Sequence, residues 1–127
     1  MAIRTELCVR LPNSPGALAD LCQRLGEERV HILALSVDPA AGARLIVDNP
    51  LHAAGTLRDA HLDPVERDVL YTTISNAPGA FGRLLRLVAG AGVNVEYAYA
   101  TSFDDQGGAA VVIGVEDAAD ASARTGI

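Results

Sequence analysis

Asn13-Ser14-Pro15-Gly16-Ala17-Leu18 returns 63 residues later as Asn76-Ala77-Pro78-Gly79-Ala80-Phe81. The likeness extends from this motif in both directions without a gap. Ahead of it, Leu7, Val9 and Leu11 stand in register with Leu70, Thr72 and Ile74. Behind it, Leu18, Leu21, Cys22 and Leu25 match Phe81, Leu84, Leu85 and Val88, and Val30 and Ile32 match Val93 and Val95. A repeat of this length, about half the chain, means one supersecondary unit built twice.

The periods within each copy assign its elements. Residues before the motif alternate, as on a half-buried strand. Residues after it fall at i, i+3, i+4 and i+7, one face of a helix. Pro15 and Pro78 suit a first helical position, where no N–H is needed. Gly90 and Gly92 read as the end of the second copy's helix. The period then returns to two. Val30, Ile32 and Ala34 alternate with Leu33 and Leu35 in copy one, and Val93, Val95 and Tyr97 alternate with Asn94 and Glu96 in copy two.

Asp38–Gly42 is a turn between strands at 30–37 and 43–48, and 103–108 is a longer turn between strands at 93–101 and 109–115. Asn49 ahead of Pro50 starts a short helix, and Glu116-Asp117 opens an Ala-rich one. Each copy therefore reads strand–helix–strand–strand–helix. A strand from Val65 to Ser75 closes copy one and opens copy two, whose own last strand is lacking. The expectation is an α+β protein of two ferredoxin-like βαββαβ units in tandem, residues 1–66 and 67–127, with antiparallel sheets and helices on one face.

Composition narrows function. The 127 residues carry 10 Lys+Arg against 16 Asp+Glu, a net charge of −6. A nucleic-acid partner is not expected, since the field has the wrong sign. All ten cations are arginines. The absence of lysine removes Schiff-base chemistry and the GxxxxGK[ST] phosphate loop. No apolar run approaches the roughly 18 residues that would span a bilayer. Two cysteines, Cys8 and Cys22, make no disulfide framework, and the first residues are too charged for a signal peptide. The expected setting is the cytoplasm.

A strand ending in Asn-x-Pro-Gly-Ala-[Leu/Phe], then a helix, then Gly92-Val93-Asn94-Val95 or its equivalent, resembles the ACT domain, and does so twice over nearly the whole chain. The resemblance implies amino-acid sensing in the service of amino-acid metabolism. It also implies a ligand held where two ACT units meet, near the loop between first strand and first helix. Those loops are Leu11–Leu18 and Ile74–Phe81. Residues implied at the site are Asn13, Pro15, Gly16, Ala17 and Leu18, with Asn76, Pro78, Gly79, Ala80, Phe81 and Asn94. Arg29-Val30-His31 departs from the Gly-x-Asn form, which favours a site built around the second copy.

The chemistry of such a loop is simple. The first N–H groups of a helix lack internal partners and hold positive potential, so a carboxylate can dock on them. Glycine allows close approach. An asparagine oxygen can accept from an ammonium group. The same asparagines can instead cap their helices, and both readings stand at this stage. Tyr97 and Tyr99 share a strand face and serve either as core or as a pocket wall. Cys22 falls in the apolar stripe of a helix, and Cys8 between Glu6 and Arg10 on the other face of its strand. His31, His52 and His61 lack metal-ligand spacing. Gly90-Ala91-Gly92 ends a helix, so it is no dinucleotide loop. Asp104 and Asp105 read as a solvated hairpin tip.

No cofactor, metal or catalytic pair is called for. The reading is a non-catalytic amino-acid-binding regulator. Its rivals are a small α+β enzyme on the same scaffold and an interaction subunit without ligand. A bare sheet edge beside Asp68–Ser75 and a strand at Leu33–Val37 apolar on both faces point to a homodimer or larger assembly.

Overall fold

The computed structural model describes residues 3–103 and 107–126. Asp104 and Asp105 lie outside these. Ten elements follow one another: β1 (Ile3–Arg10), α1 (Ala17–Glu27), β2 (Ile32–Val37), β3 (Gly42–Val47), α2 (Pro50–Asp59), β4 (Val65–Ser75), α3 (Ala80–Gly90), β5 (Tyr97–Phe103), β6 (Gly108–Gly114) and α4 (Ala118–Thr125). The chain forms two compact units, one from Thr5–Arg67 and the other from Asp68–Ile127 with Met1–Arg4. The α+β architecture and the antiparallel pairing of each unit are those expected.

In the first unit β3 pairs antiparallel with both β1 and β2. One face buries Leu7 and Val9 of β1 and Leu45 and Val47 of β3 against Leu21, Leu25 and Leu57 of the helices. Asp38 closes the β2–β3 turn by accepting from the amides of Ala40 and Gly42. The Gly42 bond is the main cause of a carboxyl held below its usual range. Asn49 caps α2, accepting from His52 N at 3.2 Å, with Pro50 in the first turn.

Strand β2 corrects one expectation. Its register slips between Ile32 and Ala34. Ile32 joins the core, Ala34 lies opposite Ile46 on the other face, and Leu35 and Val37 pair with Leu45 and Ala43 but stay exposed at this strand. The extra residue, Leu33, removes the continuous two-sided apolar strand that the alternation suggested.

In the second unit β6 pairs antiparallel with β4 and β5. Leu70, Val111 and Ile113 pack under Leu84, Val88, Ala118 and Ala121. Asp117 caps α4, accepting from Asp120 N at 3.0 Å. Among the described residues no strand follows α4. The edge beside Asp68–Ser75 is not bare, however. The start of β1, which belongs to this unit, lies next to β4 in the sheet, and Arg4 there sets its guanidinium carbon 4.6 Å from the centroid of the Tyr71 ring.

Two further expectations yield to packing. The buried stripe of α3 is Ala80, Leu84 and Val88, while Phe81 and Leu85 are 40% and 38% exposed. Val93 and Val95 pack on the core from a loop, so β5 begins only at Tyr97. Tyr97 and Tyr99 are half-buried on the sheet face turned from the helices, stacked with centroids 6.4 Å apart. Cys22 is half-buried beside the fully buried Leu21 and Leu25.

Candidate functional site

The two motif loops have the same backbone. Gly16 and Gly79 are the N-caps of α1 and α3, with φ 86° and 85°. That left-handed conformation suits glycine. The prolines therefore stand one residue before the cap, outside the helix. Ala17 N donates to Ser14 O, and Ala80 N to Ala77 O. Asp20 N and Arg83 N then begin the helical ladders on Gly16 O and Gly79 O. The amides of Leu18 and Ala19, and of Phe81 and Gly82, fall in the first turn, where helix geometry supplies no partner.

Neither asparagine caps its helix: no side-chain cap bond is made at either N-terminus. Asn13 and Asn76 sit three residues ahead of the cap and are exposed. Asn76 N donates to Gly107 O, which fastens the end of β4 to the start of β6.

The loops differ in charge. A Cβ built on Gly79 would stand 3.2 Å from Nη1 of Arg83, so a guanidinium overhangs the N-terminus of α3. The corresponding position in α1 is Asp20, an acid in the first turn. Nothing within 4 Å overhangs Gly16. A loop that offers amides plus a cation attracts a carboxylate; one that offers amides beside an acid does so less. Residue-type motifs missed Arg83, although the 63-residue register already set it against Asp20.

Asn76, Pro78, Gly79, Ala80 and Phe81 are contiguous, with Ala80 buried and the others exposed. Asn94 lies beyond the other end of α3. Eleven residues at 1.5 Å each put about 16 Å between those ends. Asn94 lines instead a cleft of about 210 Å³ with Glu96, Asp117, Asp120 and Arg124.

A second polar group occupies the first unit. Glu6 is fully buried. It accepts from the Cys8 thiol at 3.3 Å, and Arg44 Nε lies 4.0 Å away. Arg44 also reaches Asp38 at 3.7 Å. Burial first, then the charge and hydrogen bond of Glu6, push the Cys8 thiol up to about 11. A thiol held protonated is a poor nucleophile. His52 lies 3.3 Å from Glu28, an exposed pair. Among the described residues no His/Cys/Asp/Glu group could hold a metal ion, and no helix is long and apolar enough to cross a membrane.

Comparison with known proteins identifies the family and the fold. The chain matches the ACT domain pair family over residues 1–125. It is similar to the crystal structure of protein BT0572 from Bacteroides thetaiotaomicron, at 28% identity and TM-score 0.87, covering 97% of this chain and 87% of that one. The regulatory subunit of aspartate kinase from Thermus flavus superposes with TM-score 0.65 at 19% identity, over 99% of this chain and 95% of that one. Escherichia coli aspartokinase III in complex with lysine and aspartate gives TM-score 0.61 at 14% identity, over 98% of this chain and 31% of that one. No curated protein matches. With both units and the motif loops covered by one match, the chain belongs to the ACT domain pair family.

Proposed function

We propose that this protein is a non-catalytic sensor that binds a free amino acid and passes the signal to a partner through its assembly. The family is one of regulatory modules, and a neighbour of the same fold is a regulatory subunit. The observation that carries the reading is Arg83 over Gly79.

At that loop the first-turn amides of α3 and the Arg83 guanidinium receive the ligand carboxylate. The Asn76 side chain, not used as a cap, accepts from the ammonium group. Pro78 and Gly79 shape the floor, Ala80 anchors it to the core, and the exposed Phe81 ring meets the ligand side chain. Asn13, Pro15, Gly16, Ala17 and Leu18 form the sister loop, where Asp20 repels a carboxylate. Asn94 joins a ligand only from a second copy, because its own loop lies at the far end of α3. The protein works in the cytoplasm as a homodimer or larger assembly. Ligand binding shifts it between arrangements in proportion to the difference in affinity.

Thermal shift against the twenty amino acids tests this. At one hundred times the dissociation constant a true ligand stabilises by about 2.7 kcal/mol. The matching amide should give no shift. Equal shifts with acid and amide remove the carboxylate site, and no shift with any amino acid removes the sensor.

A further inference from the structure

The second unit holds a cavity that the motif loop does not line. Its volume is about 560 Å³, within the range of small-molecule sites. Every residue around it belongs to one compact unit, which includes the start of β1. Leu84 and Leu87, neighbours on α3, form an apolar wall, and Leu87 is 49% exposed there. Tyr71, Thr72 and Thr73 of β4 form a wall that bears hydroxyls. Arg4 enters from β1, with its guanidinium held over the Tyr71 ring. Gly126, at the end of α4, completes the lining, and a Cβ built on it would meet nothing within 4 Å. Among the described residues the lining thus carries one cation and no acid.

The duplication supplies a control. Counted back 63 residues, Tyr71, Thr72 and Thr73 match Cys8, Val9 and Arg10, while Leu84, Leu87 and Gly126 match Leu21, Arg24 and Asp63. Val9 and Leu21 are buried in the first core, and Leu62 packs against it where the second unit has Thr125. Cys8, Val9, Arg10 and Asp63 line a cavity of about 300 Å³ there, together with Asp38 and Arg44. That cavity has both signs of charge and no leucine. The second unit has Thr73 for Arg10, Gly126 for Asp63 and Leu87 for Arg24. The same place in the fold becomes apolar on one side, neutral and polar on the other, and cationic at one point. An exposed leucine at the position of an arginine is an addition to the fold and not a consequence of it.

We propose that this cavity binds an apolar monocarboxylate. The carboxylate takes the Arg4 guanidinium, which keeps its place over the Tyr71 ring. The hydrocarbon lies against Leu84 and Leu87 and removes them from water. A free amino acid fits less well. No acid in the lining receives its ammonium group, which is left desolvated and unpaired near a cation. The ligand is therefore an acid without an amine, either a short fatty acid or an α-keto acid with an apolar side chain. Since the Gly79 loop takes no part in the cavity, this inference does not depend on amino-acid sensing.

Titration calorimetry of the full chain with octanoate, and separately with the α-keto acid of leucine, tests it. At least one acid should bind, and the tighter of the two identifies the tail that the cavity takes. The amide of that acid should bind about tenfold more weakly or worse, as should the acid itself to Arg4→Gln. Leu87→Glu alters an exposed residue, so its melting curve should match the parent while binding is lost. Excess leucine should not displace the acid. Rejection of both acids overturns the proposal. So does parent-like affinity in Arg4→Gln or in Leu87→Glu, equal binding of acid and amide, or displacement by leucine.

Discussion

Tyr97 and Gly114 face each other across β5 and β6, and the Tyr97 ring fills the place where a Cβ of residue 114 would stand. The ring continues as a stack onto Tyr99, with an interplanar angle of 11°. The glycine is there for its missing side chain. Gly114→Ala should therefore destabilise the second unit by about 1–3 kcal/mol, as overpacking does. Adding Tyr97→Ala should recover most of that loss. Urea unfolding of the two singles and the double closes the cycle; additive losses would mean that ring and backbone are not in contact.

The opposite charges at Arg83 and Asp20 predict one ligand per chain, held by the second loop. Arg83→Ala should weaken binding about tenfold, the scale of one partly solvated charged hydrogen bond. Asp20→Arg should create a second site, raising the calorimetric stoichiometry from one to two. It should cost the first unit about 0.5 kcal/mol through the lost acid in the first turn. Binding unchanged by Arg83→Ala would dismiss the guanidinium from the site.

Asn76 offers a cleaner test than a capping residue would. Since no cap bond is lost, Asn76→Ala should leave the melting temperature within about 0.5 kcal/mol of the parent. Asn76→Asp keeps an acceptor for the ammonium group but adds a charge close to the carboxylate. Both variants should bind more weakly at unaltered stability. Parent-like affinity in both would place the ligand elsewhere.

Cys8 makes stability depend on alkaline pH. Its folded pKa of about 11 stands above the ordinary thiol value of 9.0. The native state therefore holds the proton longer than the unfolded chain. The stabilisation is complete below pH 9 and disappears as pH rises towards 11. Cys8→Ala should flatten that part of the pH profile. In a Cys22→Ser background, Glu6→Gln removes a charge that opposes the thiolate, so iodoacetamide labelling at pH 8 should accelerate. An unaltered labelling rate would separate Glu6 from the thiol.

Much of this was legible because the chain says it twice. The recurring Asn-x-Pro-Gly-Ala motif identified the unit and its order, and Asn49 and Asp117 marked two helix starts by their own chemistry. Other features depend on atoms that are distant in sequence. Phe81 and Leu85 match the half-buried Leu18 and Cys22, and only the setting of α3 against its sheet turns them outward. The register slip at Leu33 is set by pairing with β3, which no local period reports. Arg29 adopts φ 59° where its counterpart Gly92 has 75°. The first unit thus keeps the turn without the residue that advertises it. Arg83 was visible in the alignment, but its reach back to Gly79 depends on a side-chain conformation.

The stacked Tyr97 and Tyr99 are part of a wider segregation. Every aromatic residue, Tyr71, Phe81, Tyr97, Tyr99 and Phe103, lies after Arg67, while both cysteines and all three histidines lie before it. With no tryptophan to mask them, the tyrosines make ultraviolet emission a private signal of the second unit. Thiol dyes and imidazole proton resonances speak for the first alone. A single unmodified sample therefore carries two independent spectroscopic channels, one for each half of the duplication.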